Sequence, residues 1–143
     1  MKRYKASKKG LIHYTLLISF VLPIALFFLE NQTFMTKPLM SLLLFSPFLF
    51  ILWVYLDTYY IIDDQYFIYR SAFLKGKVDI QSIKEIQAGK TMWSGVKPAL
   101  APKGLIIKYN RYDEIYVAPE NNEELIEDFL KLNRKIKVQD VCK

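Results

Sequence analysis

Two long uncharged runs, followed by short stretches in which apolar and polar residues alternate, divide the chain into two unlike parts. The first run, Leu11 to Leu29, holds 19 residues without a formal charge. At ~1.5 Å rise per residue it would extend roughly 28 Å as a helix, close to the ~30 Å of a bilayer's hydrocarbon core. The second, Leu39 to Leu56, supplies 18 more, including Phe45, Phe48, Phe50, Ile51 and Val54. Residues 11–56 are therefore expected to form a transmembrane helical hairpin (11–29 and 39–56). Pro23 and Pro47 fall mid-run and predict kinks, which a bilayer tolerates where neighbours satisfy the freed carbonyls. A cleavable signal peptide fits less well, because the apolar core is too long and no small-x-small site follows it. Asn31-Gln32-Thr33, in the linker, matches a glycosylation sequon by pattern alone.

From Thr58 the period drops to two. Tyr59 to Ile62 and Tyr66 to Tyr69 read as a hairpin turning at Asp63-Asp64-Gln65. Lys75-Gly76 predicts a second turn into a short strand around Val78 and Ile80, and Ile83 and Ile86 a further strand ending near Gly89. Residues 90–104, broken by Gly95, Pro98, Pro102 and Gly104, predict a long irregular segment. Leu105 to Tyr109 and Glu114 to Ala118 read as strands around a turn at Asn110 to Asp113. Asn121, with Glu124 three residues on, predicts a helix start. Leu125, Ile126, Phe129 and Leu130 then form one apolar stripe, and Lys131, Arg134 and Lys135 complement the helix dipole. The order is several antiparallel strands and one C-terminal amphipathic helix able to plug a bent sheet, an α+β domain over residues 57–143.

Charge adds an orientation. Of the formal +6, five bases (Lys2, Arg3, Lys5, Lys8, Lys9) precede the first run, whereas residues from Asp57 onward carry 14 Lys/Arg against 13 Asp/Glu. Residues 1–10 thus read as a basic, membrane-orienting flank on the cytoplasmic side, and two spans return the domain there. A nucleic-acid-binding domain would place its excess on a folded face, so no nucleic-acid partner is expected. Trp53, Tyr55, Tyr59 and Tyr60 read as an interfacial aromatic belt. One cysteine (Cys142) and one histidine (His13) exclude an intramolecular disulfide, a Cys/His metal site within the chain and a His-based triad in the domain. No cofactor is called for.

The element order, together with Tyr59-Tyr60-Ile61-Ile62-Asp63-Asp64, Ile80 to Ile86, Pro98-Ala99-Leu100-Ala101 before Leu105 to Tyr109, Tyr112-Asp113-Glu114 and Pro119, resembles the bacterial pleckstrin-homology-like (PH-like) domain of small Gram-positive membrane proteins. The resemblance covers residues 58–136. It implies a PH-like antiparallel β sandwich or partly open barrel with a capping helix; it does not imply an activity, because folds host many functions. Some similar small membrane proteins protect a producer cell against a bacteriocin, so self-immunity is an alternative role that the resemblance implies. The eukaryotic phosphoinositide-binding version carries Lys and Arg around its first hairpin, where this chain has Asp63-Asp64-Gln65.

As a partner surface the sequence singles out the irregular segment, with Lys90, Trp93, Ser94, Lys97 and Lys103 as a binding loop for a protein, a peptide or lipid headgroups. A solvated loop whose Trp93 packs on the domain is the plainer reading. Asp63-Asp64 and Asp113-Glu114 sit at turns, where carboxylates serve backbone hydrogen bonding. The expected function is a multi-pass, cell-membrane-anchored, non-enzymatic interaction module with both termini cytoplasmic.

Overall fold

The computed structural model describes residues 1–29, 37–92 and 94–140. The linker triplet Asn31-Gln32-Thr33, Trp93 and Cys142 lie outside the described residues. In chain order the elements are β1 (Lys2–Lys5), α1 (Ile12–Leu29), α2 (Pro38–Asp57), β2 (Tyr59–Ile62), β3 (Tyr66–Ser71), β4 (Leu74–Asp79) and a 3-10 turn (Ile80–Ser82). β5 (Ile83–Ala88), β6 (Leu105–Tyr109), β7 (Asp113–Val117), α3 (Asn122–Leu132) and β8 (Lys137–Asp140) follow.

α1 and α2 lie side by side, with the Phe20 and Phe48 rings 5.1 Å apart. Each is long and apolar enough to cross a membrane, with a mean hydropathy of 2.2. Pro47 deprives the Leu43 carbonyl of its helical donor, and the Ser46 hydroxyl donates to that carbonyl at 2.7 Å. The helix therefore runs through the proline without an idle backbone group. His13 and Tyr55 meet edge-on near the helix ends, with ring centroids 5.8 Å apart.

Two four-stranded sheets make the domain, ordered β1-β2-β3-β4 and β7-β6-β5-β8. All neighbours are antiparallel except β5 and β8. One core lies between them, built from alternate residues: Tyr4, Tyr60, Phe67 and Val78 of the first sheet, and Ile86, Ile107 and Ile115 of the second. α3 closes it with Leu125 and Phe129, the Phe129 ring standing 5.1 Å from that of Phe67. Asn121 caps α3, its side chain accepting from the Glu123 and Glu124 amides. The expected hairpin at residues 63–65, the strand ending near Gly89, the irregular segment and the capping helix are all present.

Four expectations change. Residues 1–10 are not merely a flank: Lys2–Lys5 pairs with β2 as an edge strand, because Tyr4 and Ala6 alternate into the core. Tyr60 belongs to that core, fully buried, rather than to an interfacial belt. Lys75-Gly76 lies within β4, and the turn falls earlier, at Ala72-Phe73. Gly76 lets the Tyr69 ring lie over the strand there; a Cβ would meet the Tyr69 hydroxyl unless that side chain shifted. β8, finally, extends the second sheet through a parallel pairing that links Glu85 to Lys137 and Ala88 to Asp140.

Candidate functional site

The irregular segment is a strap folded across the outer face of the second sheet. Met92 packs there on Ile106 and Tyr116, with Ala99 against the same cluster. Two buried tyrosines pin it. Tyr60 Oη donates to the Pro98 carbonyl at 2.6 Å and accepts from the Ala118 amide at 3.1 Å. Tyr116 Oη donates to the Ala101 carbonyl at 2.8 Å and accepts from the Gly104 amide at 2.9 Å. Burial raises the Tyr60 hydroxyl well above its ordinary pKa, so it stays a neutral donor. The base of the strap is closed by Gly89 N–H to Gly104 C=O at 2.9 Å and Lys103 N–H to Thr91 Oγ1 at 3.0 Å.

Among the residues singled out from sequence, Lys90 and Lys103 are exposed and come together at that closed base. Ser94 is exposed. Lys97 is half-buried between the pinned residues Val96 and Pro98, Val96 accepting from the Tyr116 amide at 3.0 Å. Trp93 lies outside the described residues. The strap is thus a tethered surface, and its lysines are split between its base and its middle. Lys103 also lines a cavity of about 490 Å³ with Lys9, Glu120, Asn121 and Glu123 beside the start of α3.

A second basic surface escaped the sequence reading. Because β1 joins the first sheet, Arg3 and Lys5 point away from its core onto a folded face. The register aligns two rows there: Lys5, Tyr59, Arg70 and Lys75, then Arg3, Ile61, Ile68 and Lys77. The Arg3 guanidinium lies 4.0 Å from the Tyr59 ring centroid, and Lys77 Nζ 4.8 Å from that of Tyr66. Where this face meets the end of α2, a cavity of about 460 Å³ is lined by Arg3, Lys5, Lys8, Leu56, Tyr59 and Glu120. Lys8 Nζ sits 4.1 Å from the Tyr55 ring centroid, on the helix itself. The one local signal for this arrangement was the spacing of Tyr4 and Ala6 within a run of bases.

On the inner side β1 is anchored electrostatically. Lys2 Nζ lies 2.6 Å from Asp128 and 2.7 Å from Glu124 of α3, and Tyr4 Oη donates to Asp128. Lys131, Lys2 and Tyr4 together hold the Asp128 carboxyl well below its usual range. Burial, reinforced by Asp128, pushes the Tyr4 hydroxyl up to about 12. These groups fasten the strand; their donors are spent on one another, and the arrangement offers positioning rather than chemistry.

No curated protein matches this chain, and no solved structure matches it. A family model described as "Bacterial PH domain" matches residues 58–133, just over half of the chain. The match begins at the residue after α2 and ends at the residue after α3, which is the second strand of the first sheet through the capping helix. The chain therefore belongs to the bacterial PH domain family.

Proposed function

We propose that this protein is a membrane-anchored, non-enzymatic interaction module, whose PH-like domain is held at the cytoplasmic face by two spans. The observation that carries this is the pairing of β1 with β2, Lys2 opposite Ile62 and Lys5 opposite Tyr59. The residues before α1 and after α2 are neighbours in one sheet, so the helices leave the domain and return to the same side of it. Among the described residues of both helices Pro23 is the buried one, and Leu17, Leu42, Leu43 and Leu49 remain exposed, as lipid-facing side chains would be. Five bases flank the start of α1 and Lys37 alone precedes α2, a bias that favours a cytoplasmic domain. Tethering at the surface concentrates the domain toward membrane partners, which the strap and the basic outer face of the first sheet are available to meet.

Alkaline carbonate should leave the protein in the membrane fraction. An impermeant maleimide should label Cys142 only after cells are permeabilised. Extraction by carbonate, or labelling in intact cells, contradicts the anchoring or the sidedness respectively. A photocrosslinker at Lys97 or Lys77 should then trap a discrete membrane partner or lipid, and adducts no different from those at an α3 control position, Glu127, contradict the interaction role.

A further inference from the structure

The turn between β3 and β4 has the wrong chemistry for water. Two-residue hairpin turns with left-handed backbone normally use Asn, Asp or Gly, yet here Ala72 takes φ 49° and Phe73 follows it. Phe73 is 65% exposed at the tip, and Leu74 follows it. Its ring stacks on that of Phe50, with centroids 6.0 Å apart and an interplanar angle of 23°. Phe50 lies on α2, seven residues before the helix ends at Asp57, and so about 10 Å along the axis from that end. Trp53 and Tyr55, the residues suited to a membrane–water boundary, lie between Phe50 and the end. The tip of the turn therefore stands at the level of the apolar part of α2.

This placement is built rather than loose. Thr58 Oγ1 donates to the Val54 carbonyl at 2.6 Å and lies 2.8 Å from Ser71 Oγ. Arg70 Nε donates to Asp57 Oδ2 at 2.9 Å. These bonds fix the end of β3 to the end of α2 and leave the Ala72-Phe73 tip lying along the helix. Behind it the row Lys5, Arg70 and Lys75 crosses the outer face of the sheet, next to the helix terminus.

We infer that the β3–β4 turn is a third membrane contact, in which Phe73 enters the lipid beside α2 while Lys5 and Lys75, on either side of the Arg70–Asp57 pair, meet the phosphates of anionic lipids. This rests on the two-span reading of α1 and α2. The occupant is lipid because the surface is continuous with the lipid-facing side of α2 and places cations where headgroup phosphates lie. The contact sets the tilt of the domain, and with it the direction in which the strap faces.

The test uses full-length protein carrying Cys142→Ser and one new cysteine, labelled with the environment-sensitive dye NBD. The protein is reconstituted into vesicles of phosphatidylcholine and phosphatidylglycerol. Positions compared are Phe73→Cys, Leu43→Cys within α2 and Tyr112→Cys on the distant β6–β7 turn. Quenching by doxyl-labelled lipid and by aqueous iodide is measured for each. The inference expects the position 73 probe to be blue-shifted and quenched by lipid, like position 43, with position 112 quenched by iodide. Iodide quenching at 73 with lipid quenching at 43 overturns the wedge and leaves the spans intact. Loss of lipid quenching at 43 overturns the spans themselves. Shielding of position 73 from both quenchers means a protein or a second copy covers the turn, which also overturns the inference. Omitting phosphatidylglycerol should weaken lipid quenching at 73, and unchanged quenching removes the phosphate-binding row from the proposal.

Discussion

Tyr60→Phe removes a single oxygen, and its consequence can be worked out from the two bonds that oxygen makes. The hydroxyl is fully buried, donates to Pro98 C=O at 2.6 Å and accepts from Ala118 N–H at 3.1 Å. The variant leaves one carbonyl and one amide unpaired in the interior, each costing about 1–3 kcal/mol. Partial opening of the strap lets water reach them, so the sum is expected near 2–4 kcal/mol, a large share of the 5–15 kcal/mol typical of a domain. Amide hydrogen exchange on the protein in lipid nanodiscs reads this directly. At about 1.4 kcal/mol per tenfold, the Ala118 amide should exchange roughly thirty- to several-hundred-fold faster. The strap amides should lose protection with it, while α1 and α2 keep theirs. A variant whose Ala118 amide exchanges at the wild-type rate would show that the hydroxyl does not tie the strap to β7.

The remaining predictions concern thermal unfolding of the detergent-solubilised protein unless stated. Tyr4→Ala should cost about 3 kcal/mol, as loss of a buried aromatic does, whereas Arg3→Gln on the opposite face of β1 should change stability by less than about 0.5 kcal/mol; equal effects would contradict the strand. Gly104→Ala would place a Cβ 2.2 Å from the Val117 carbonyl oxygen, and should cost about 3 kcal/mol or more because backbone cannot yield as a flexible side chain does. Asn121→Ala should lower stability by about 1 kcal/mol through loss of two capping bonds. The Asp128 carboxyl is depressed by Lys131, Lys2 and Tyr4, so its contribution is fully present above the ordinary carboxylate range and fades as pH falls below that range toward the depressed folded value. The Tyr4 hydroxyl is raised to about 12, so its contribution is present below about 10 and fades between those values. Asp128→Asn should flatten the acid limb, by an amount in the ~1 kcal/mol range of exposed ion pairs; an unchanged acid limb would refute the assignment.

What could be read from sequence was local. Alternation over Tyr59–Ile62 and Tyr66–Tyr69, the carboxylates between them and the Asn121 cap each act within a few residues, and each element appears where its pattern placed it. β1 was hidden for a physical reason. Its partner lies some fifty residues away beyond two apolar helices, and its bases obey the orientation rule for a membrane flank equally well. β8 depends in the same way on a parallel pairing with a distant strand. Gly76 misled because a glycine in a strand and a glycine in a turn differ only in what lies above them, here the Tyr69 ring. The strap was legible as irregular, but its tethering by Tyr60 and Tyr116 was not, since nothing local tells a buried tyrosine which carbonyl it will reach. The basic outer face was unreadable for the same cause, being assembled from three segments that meet only across strands.

The coupling of the two helices to one ladder also restricts how the molecule can move. Thr58 alone separates α2 from β2, and on the other side the backbone stays bound through Ser7, whose amide donates to Ala118 C=O at 2.7 Å. Sliding α2 against α1 like a piston would drag β2 along β1, and a slip of one residue would turn Tyr4 out of the core. The slack available to absorb such travel is confined to residues 8–11. Any mechanical signal passing between the helices and the domain must therefore arrive as a joint tilt of both helices, with the sheet swinging as a lever fixed to their common end.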